Sequence, residues 1–147
     1  MILAIDPGTE QSGWCQFSNG EVIASGVCPN SEMLLFLQKH IFPYRLAIEM
    51  VASYGMPVGR EVFETCVWIG RFKQAWHDPD AVRLVYRRDV KLALCGSMKA
   101  KDANIRQALI DKLGPVGTKK VPGPLYGVKS HAWAAVAVAA VLGDAVK

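Results

Sequence analysis

Met1-Ile2-Leu3-Ala4-Ile5-Asp6-Pro7-Gly8 opens the chain, and Arg45-Leu46-Ala47-Ile48-Glu49-Met50 follows the same plan, a short apolar run that ends near a single carboxylate. Apolar runs of this length fit strands buried on both faces. Asp6-Pro7-Gly8 breaks the first run. A carboxylate at such a place is costly to bury unless a partner meets its charge.

Outward from these runs, Trp14–Phe17 and Glu21–Val27 flank Asn19-Gly20, a strong short hairpin signal. The first three strands are therefore expected as an antiparallel meander. Asn30 or Ser31 can cap a helix beginning near Glu32, with Met33, Leu34, Leu37 and Ile41 at helical spacing and Pro43 just past its end. A loop over 52–59 leads to a helix over Arg60–Trp76 whose stripe of Val62, Phe63, Cys66, Val67 and Gly70 is apolar. Ala81–Val85 reads as a fifth strand. Helical pieces at Asp89–Leu94 and Asp102–Leu113 end on Gly96 and Gly114. Thr118–Gly127 reads as a loop, and Ser130 can cap a last helix from His131 to about Leu142, almost all Ala and Val. This order predicts a single α/β domain over residues 1–147. Its core is a five-stranded mixed sheet, three antiparallel strands and then parallel ones, flanked by helices. The strands ending in Asp6 and Glu49 are natural neighbours at its centre.

Bulk composition narrows the function classes. Hydrophobic residues make up 51% and charged residues 20%, enough to bury a core and against disorder. The net charge of +4 suits a polyanionic partner without requiring one. Cys15, Cys28, Cys66 and Cys95 include no CxxC pair, so neither a zinc site nor a disulfide framework is indicated. An acid at position 6 comes too soon for a signal peptide. The apolar run Ala132–Gly143 falls short of the roughly 20 residues a membrane span needs. A cytoplasmic protein, in a bacterial cell or a phage-infected host, with no membrane partner, is the expectation.

Two carboxylates converging at neighbouring strand ends can share a divalent cation. His131, at the first turn of the last helix, can point back across the sheet toward both, and imidazole joins carboxylates at Mn²⁺-type sites. From the residues alone a second reading stays open, with each acid at a solvated strand end and His131 structural or exposed.

Four blocks resemble the RuvC-type Holliday junction resolvases, in family order and across nearly the whole chain. They are Asp6-Pro7-Gly8-Thr9 with Ser12-Gly13-Trp14; Ala47-Ile48-Glu49-Met50-Val51; Arg88 with Val90-Lys91, Gly96 and Lys101-Asp102-Ala103; and His131-Ala132-Trp133 through Ala139. The stretches Tyr54–Phe72 and Gly123–Gly127 resemble the phage-borne branch. The resemblance implies a ribonuclease H-like fold, a homodimer, two Mg²⁺ or Mn²⁺ ions, no nucleotide cofactor, and metal-dependent cleavage of branched DNA such as four-way junctions. It places Asp6, Glu49 and His131 on the metal site and Lys91 and Lys101 near the scissile phosphate. Tyr54 and Met56 fall where the family presents a side chain to the junction centre, and the Val62–Val67 stripe falls on the helix through which it pairs. Among the basic residues, Arg60, Arg71, Arg88, Lys99, Lys119, Lys120 and Lys129 are candidates for the DNA path.

One departure stands out. The family carries an acid one helical turn after position 131, on the same helix face, and this chain has Ala134. Alanine ligates nothing. Three readings follow: an engineered, inactivated version; a natural variant that uses another acid, with Glu64 and Asp102 as candidates; or a structure-specific DNA-binding protein that has lost cleavage. Nucleases of flaps or forks share the same signals. Actin-like and sugar-kinase ATPases share the opening strand and hairpin, but they need two duplicated domains, more than 147 residues supply.

Overall fold

Strand β1 (Ile2–Pro7) occupies the middle of a five-stranded sheet in the order β3-β2-β1-β4-β5. It pairs antiparallel with β2 (Gln11–Ser18) and parallel with β4 (Arg45–Met50). β2 pairs antiparallel with β3 (Glu21–Pro29), and β4 pairs parallel with β5 (Arg83–Tyr86). The helices are α1 (Asn30–Lys39), α2 (Arg60–Ala75), α3 (Arg87–Cys95), α4 (Asp102–Leu113) and α5 (Ala132–Ala145). The computed structural model describes residues 1–39 and 44–145. Ile41 and Pro43, assigned above to a helix and its stop, lie outside the described residues.

The predicted mixed sheet is present, and strand alternation sorts its core into two layers. Leu3, Ile5, Leu46 and Ile48 pack on one face with Met33 and Leu37 of α1 and Ile69 and Phe72 of α2. Ile2, Ala4, Ala47, Cys15 and Phe17 face the other way, onto the Ala and Val side chains of α5. Ala4 and Ala47 have small side chains, which lets α5 approach the sheet closely. Its apolar sequence is thus a packing sequence. Among the described residues no helix is long and apolar enough to cross a membrane.

Several expectations need correction. β1 runs on through Asp6 to Pro7, paired with Ser12 on β2 beyond the point where the β1–β4 ladder ends at Ile5 and Ile48. Asn19 and Gly20 both have positive φ, as the predicted hairpin turn demands, and pairing spreads beyond the expected bounds of β2 and β3. Asn30 lies within α1, and its buried amide accepts from Ser12 Oγ (2.5 Å) and donates to the Gly8 carbonyl (2.9 Å). On α2 the predicted stripe is not the buried one. Thr65, Ile69 and Phe72 turn inward, while Phe63 and Val67 are each 61% exposed. The fifth strand starts later than predicted because Pro79–Ala81 forms a 3₁₀ turn, and α3 begins directly after it, at Arg87. Within Thr118–Gly127 the chain is a tight hairpin closed by a Gly117–Pro122 bridge. Ser130 has φ 50°, whereas a capping residue needs extended backbone, so it does not take the cap geometry and α5 begins at Ala132.

Gly13 has a specific job. A Cβ there would overlap the His131 carbonyl and the Ala132 nitrogen, so the start of α5 rests directly on the β2 backbone. Gly70, on α2, has nothing within 4 Å of such a Cβ. Gly13→Ala is therefore expected to lower stability by about 1–3 kcal/mol through overpacking. Gly70→Ala is expected to raise it by up to about 1 kcal/mol, read by urea denaturation.

Candidate active site

Register builds this site. Ile5 lies beside Ile48 on the parallel β1–β4 ladder, so the next residues, Asp6 and Glu49, emerge side by side. Alternation puts both on the α5 face, one step beyond Ala4 and Ala47. On β2, Gly13 lies opposite Asp6. The α5 backbone seated on Gly13 brings His131 over Asp6, with Nδ1 3.3 Å from Asp6 Oδ2. From the other side, Glu49 pairs with Val85 and Met50 with Tyr86, and Arg87 follows at once. Its Nη1 lies 3.3 Å from Glu49 Oε1, and its Nη2 donates to Asp102 Oδ1 at the head of α4.

These side chains form the floor of an open cleft of about 820 Å³, walled by α3, α4 and α5 and lined also by Ala134, Arg106 and Trp133. Arg106 stacks on Trp133, 4.5 Å from the ring centroid. Glu49 is buried, with 7% exposure, and burial together with the neighbouring Asp6 charge pushes its carboxyl up to about 7 despite Arg87. Burial also raises Asp6, against the pull of His131 and Arg87. Burial opposes the charge on Arg87, but Glu49, Asp102 and Asp6 outweigh it and hold the guanidinium protonated.

Two adjacent carboxylates, one buried and one half-buried, both with raised proton affinity, need a cation to stay ionised together. Arg87 is the one in contact with Glu49. As the side chains stand, no three His, Cys, Asp or Glu among the described residues are gathered tightly enough to hold a metal ion. The donor chemistry nonetheless fits one divalent ion at the Asp6–Glu49–His131 floor, where two hard oxygen donors are joined by an imidazole. At the acid position one turn into α5, Ala134 presents only a methyl to the cleft.

The structure thus lines one cleft with Asp6, Glu49 and His131, and it separates the lysines from them. Lys91 lines an adjoining hollow of about 320 Å³ with Tyr54, Arg87, Arg88 and Met98. Lys101 is exposed ahead of α4, where its N–H donates to Asn104 (2.9 Å). Tyr54 is 54% exposed with φ 50°, and Arg88 lies 5.8 Å from its ring. Arg60 pairs with Glu64 at 2.6 Å on the surface of α2, away from the cleft, and Arg71 lies 4.0 Å over Trp68. Lys99, Lys119, Lys120 and Lys129 are exposed. Of the two substitutes for the missing acid, Asp102 lines the cleft and Glu64 does not. The residue that sequence reasoning missed is Arg87. Placing the end of β5 at Tyr86, not Val85, would have set it next to Glu49.

Neither a family model nor a curated protein matches the sequence. Solved structures do. Thermus thermophilus RuvC in complex with a Holliday junction substrate aligns over 99% of this chain and 93% of its own, with a TM-score of 0.68 at 19% identity. A second Thermus thermophilus RuvC structure aligns over 95% and 91%, with a TM-score of 0.64 at 18% identity. This chain has the RuvC fold. At such identity the likeness is one of backbone, and the RuvC fold carries the Asp6–Glu49 pair at its central strand ends by this chain's own register.

Because Glu49 takes up its proton more readily when folded, near 7 against an ordinary 4.5, the unfolded chain binds fewer protons between those values. Stability due to this group is fully present at and below about pH 4.5 and is lost as pH rises to about 7. Glu49→Gln is expected to raise the melting temperature by a few degrees at pH 8, in chelator, and to change it little at pH 5. Calorimetry at both pH values checks this, and equal shifts would contradict it.

Proposed function

We propose that this chain is a metal-dependent endonuclease that hydrolyses phosphodiester bonds in branched DNA, four-way junctions foremost. The observation that carries this reading is the pair of carboxylates, buried Glu49 and half-buried Asp6, side by side on the floor of a wide cleft with His131 against Asp6. A structural role alone gives no reason to set two acids side by side, one of them buried, at the floor of an open cleft. The RuvC fold supports the reading, since one neighbour with that fold is bound to a Holliday junction substrate.

Asp6, Glu49 and His131 would hold Mg²⁺ or Mn²⁺, which supplies Lewis acidity and a water of lowered pKa. In the net reaction water adds to phosphorus, one P–O ester bond breaks, and the water's proton ends on the leaving oxygen. Asp6 orients His131 through the 3.3 Å contact, and the α5 backbone fixed on Gly13 limits its travel. Lys91, in the adjoining hollow, and Lys101, exposed ahead of α4, would meet phosphates away from the metal-binding floor. Arg88, Lys99, Lys119, Lys120 and Lys129, with Arg60 and Arg71 on α2, would give binding its salt dependence.

Tyr54, on a strained turn next to Arg88, is proposed to stack on a base at the branch point. The exposed Phe63 and Val67 of α2 are proposed to meet a second copy of the chain.

With Mn²⁺, Asp6→Asn is expected to reduce cleavage of a synthetic four-way junction by on the order of 10²-fold or more while leaving junction affinity within a few-fold. Equal cleavage by the variant would sink the reading, and a preference for flaps or forks over junctions would redirect it. Tyr54→Ala is expected to weaken junction binding by about 1–3 kcal/mol and binding to plain duplex hardly at all, by gel shift. Phe63→Asp with Val67→Asp is expected to halve the solution mass measured by light scattering, with circular dichroism unchanged.

A further inference from the structure

We propose that the cleft works with one divalent ion, and that the Arg87 guanidinium, steered by Asp102, provides the second positive charge to the phosphate. This rests on the nuclease reading above and deepens it.

Arg87 is placed by backbone, not by a chance rotamer. The β4–β5 register ends with Met50 beside Tyr86, so the first residue of α3 must enter next to Glu49. Its two terminal nitrogens then reach two different carboxylates, Glu49 on the sheet and Asp102 on α4. A guanidinium has five N–H donors in a rigid fork, so those two contacts leave others for phosphate oxygens. Arg106, the other arginine lining the cleft, is stacked on Trp133.

Ligand supply and charge point the same way. Asp6, Glu49 and His131 are three donor groups, enough for one hard divalent ion completed by water and phosphate, and thin for two. Ala134 adds none. Asp6, Glu49 and Asp102 are three carboxylates, balanced by one divalent ion together with one guanidinium. A second divalent ion would find Glu49 and Asp102 already engaged by Arg87 and no further carboxylate on the cleft lining. Arg87 makes and breaks no covalent bond in this scheme. It donates hydrogen bonds to non-bridging oxygens as charge builds on them. Asp102 is a positioning residue, acting through Arg87.

The test counts Mn²⁺ ions by electron paramagnetic resonance and calorimetry, beside junction cleavage, in the full chain. Wild type is expected to bind one ion per chain. Arg87→Gln is expected to keep that ion, at equal or tighter affinity, and to lose cleavage by about 10²–10³-fold. Asp102→Asn is expected to keep the ion and lose rate by a smaller factor, and Arg87→Gln combined with Ala134→Asp is expected to bind two. Two ions per wild-type chain, undiminished cleavage by Arg87→Gln, or loss of the ion in Asp102→Asn each overturns the proposal while leaving the nuclease reading intact. No ion bound by wild type and no cleavage overturns both.

Discussion

Two like charges held side by side in a partly dry place set the terms for everything around them. The β1–β4 register leaves Asp6 and Glu49 no freedom to separate, since moving either would shift a central strand by a residue and turn its apolar side chains to the wrong face. Their repulsion and desolvation must then be met locally. His131 on one side and Arg87 on the other meet it, each delivered by a backbone constraint: the seat of α5 on Gly13, and the immediate turn from β5 into α3. The site is a place where the fold sacrifices stability, and such places are where chemistry is found.

The layering of the molecule follows from the same strands. Because β1 and β4 are buried on both faces, one face can carry large residues against α1 and α2 while the other carries alanines beneath α5. The small residues let the last helix sit low enough for its first turn to overhang the strand ends. A larger side chain at Ala4 or Ala47 would lift α5 and carry His131 away from Asp6. Distant parts of the chain are brought to one point by side-chain size as much as by topology.

Much of this was legible in the sequence, for physical reasons that differ by region. The apolar runs ending near Asp6 and Glu49 and the Asn19-Gly20 turn carry strong local signals, and the sheet formed as they indicate. Helix boundaries at Arg60, Asp102 and Leu113 were set by local composition and match. The orientation of α2 was not legible, because apolar periodicity identifies a stripe without saying whether the core or the solvent takes it, and here Thr65, Ile69 and Phe72 are taken inward instead. Arg87 escaped notice because its meaning depends on a strand register that shifts with a single residue at the end of β5. Asn30 looked like a helix cap and proved to be a buried tie, since its amide finds Ser12 and Gly8 only once three separate segments have met.

That tie makes the two banks of the cleft unequal. Through Asn30 the turn after Asp6 is fastened both to β2 and to the head of α1, and the opposite rim of α5 is wedged on Gly13. The α3–α4 bank packs on α5 through Val90, Ile105 and Leu109, and its polar link to the floor is Arg87, in part a surface ion pair that water can compete for. The polar fastening is thus dry on the Asn30 side of the cleft and wet on the Arg87 side.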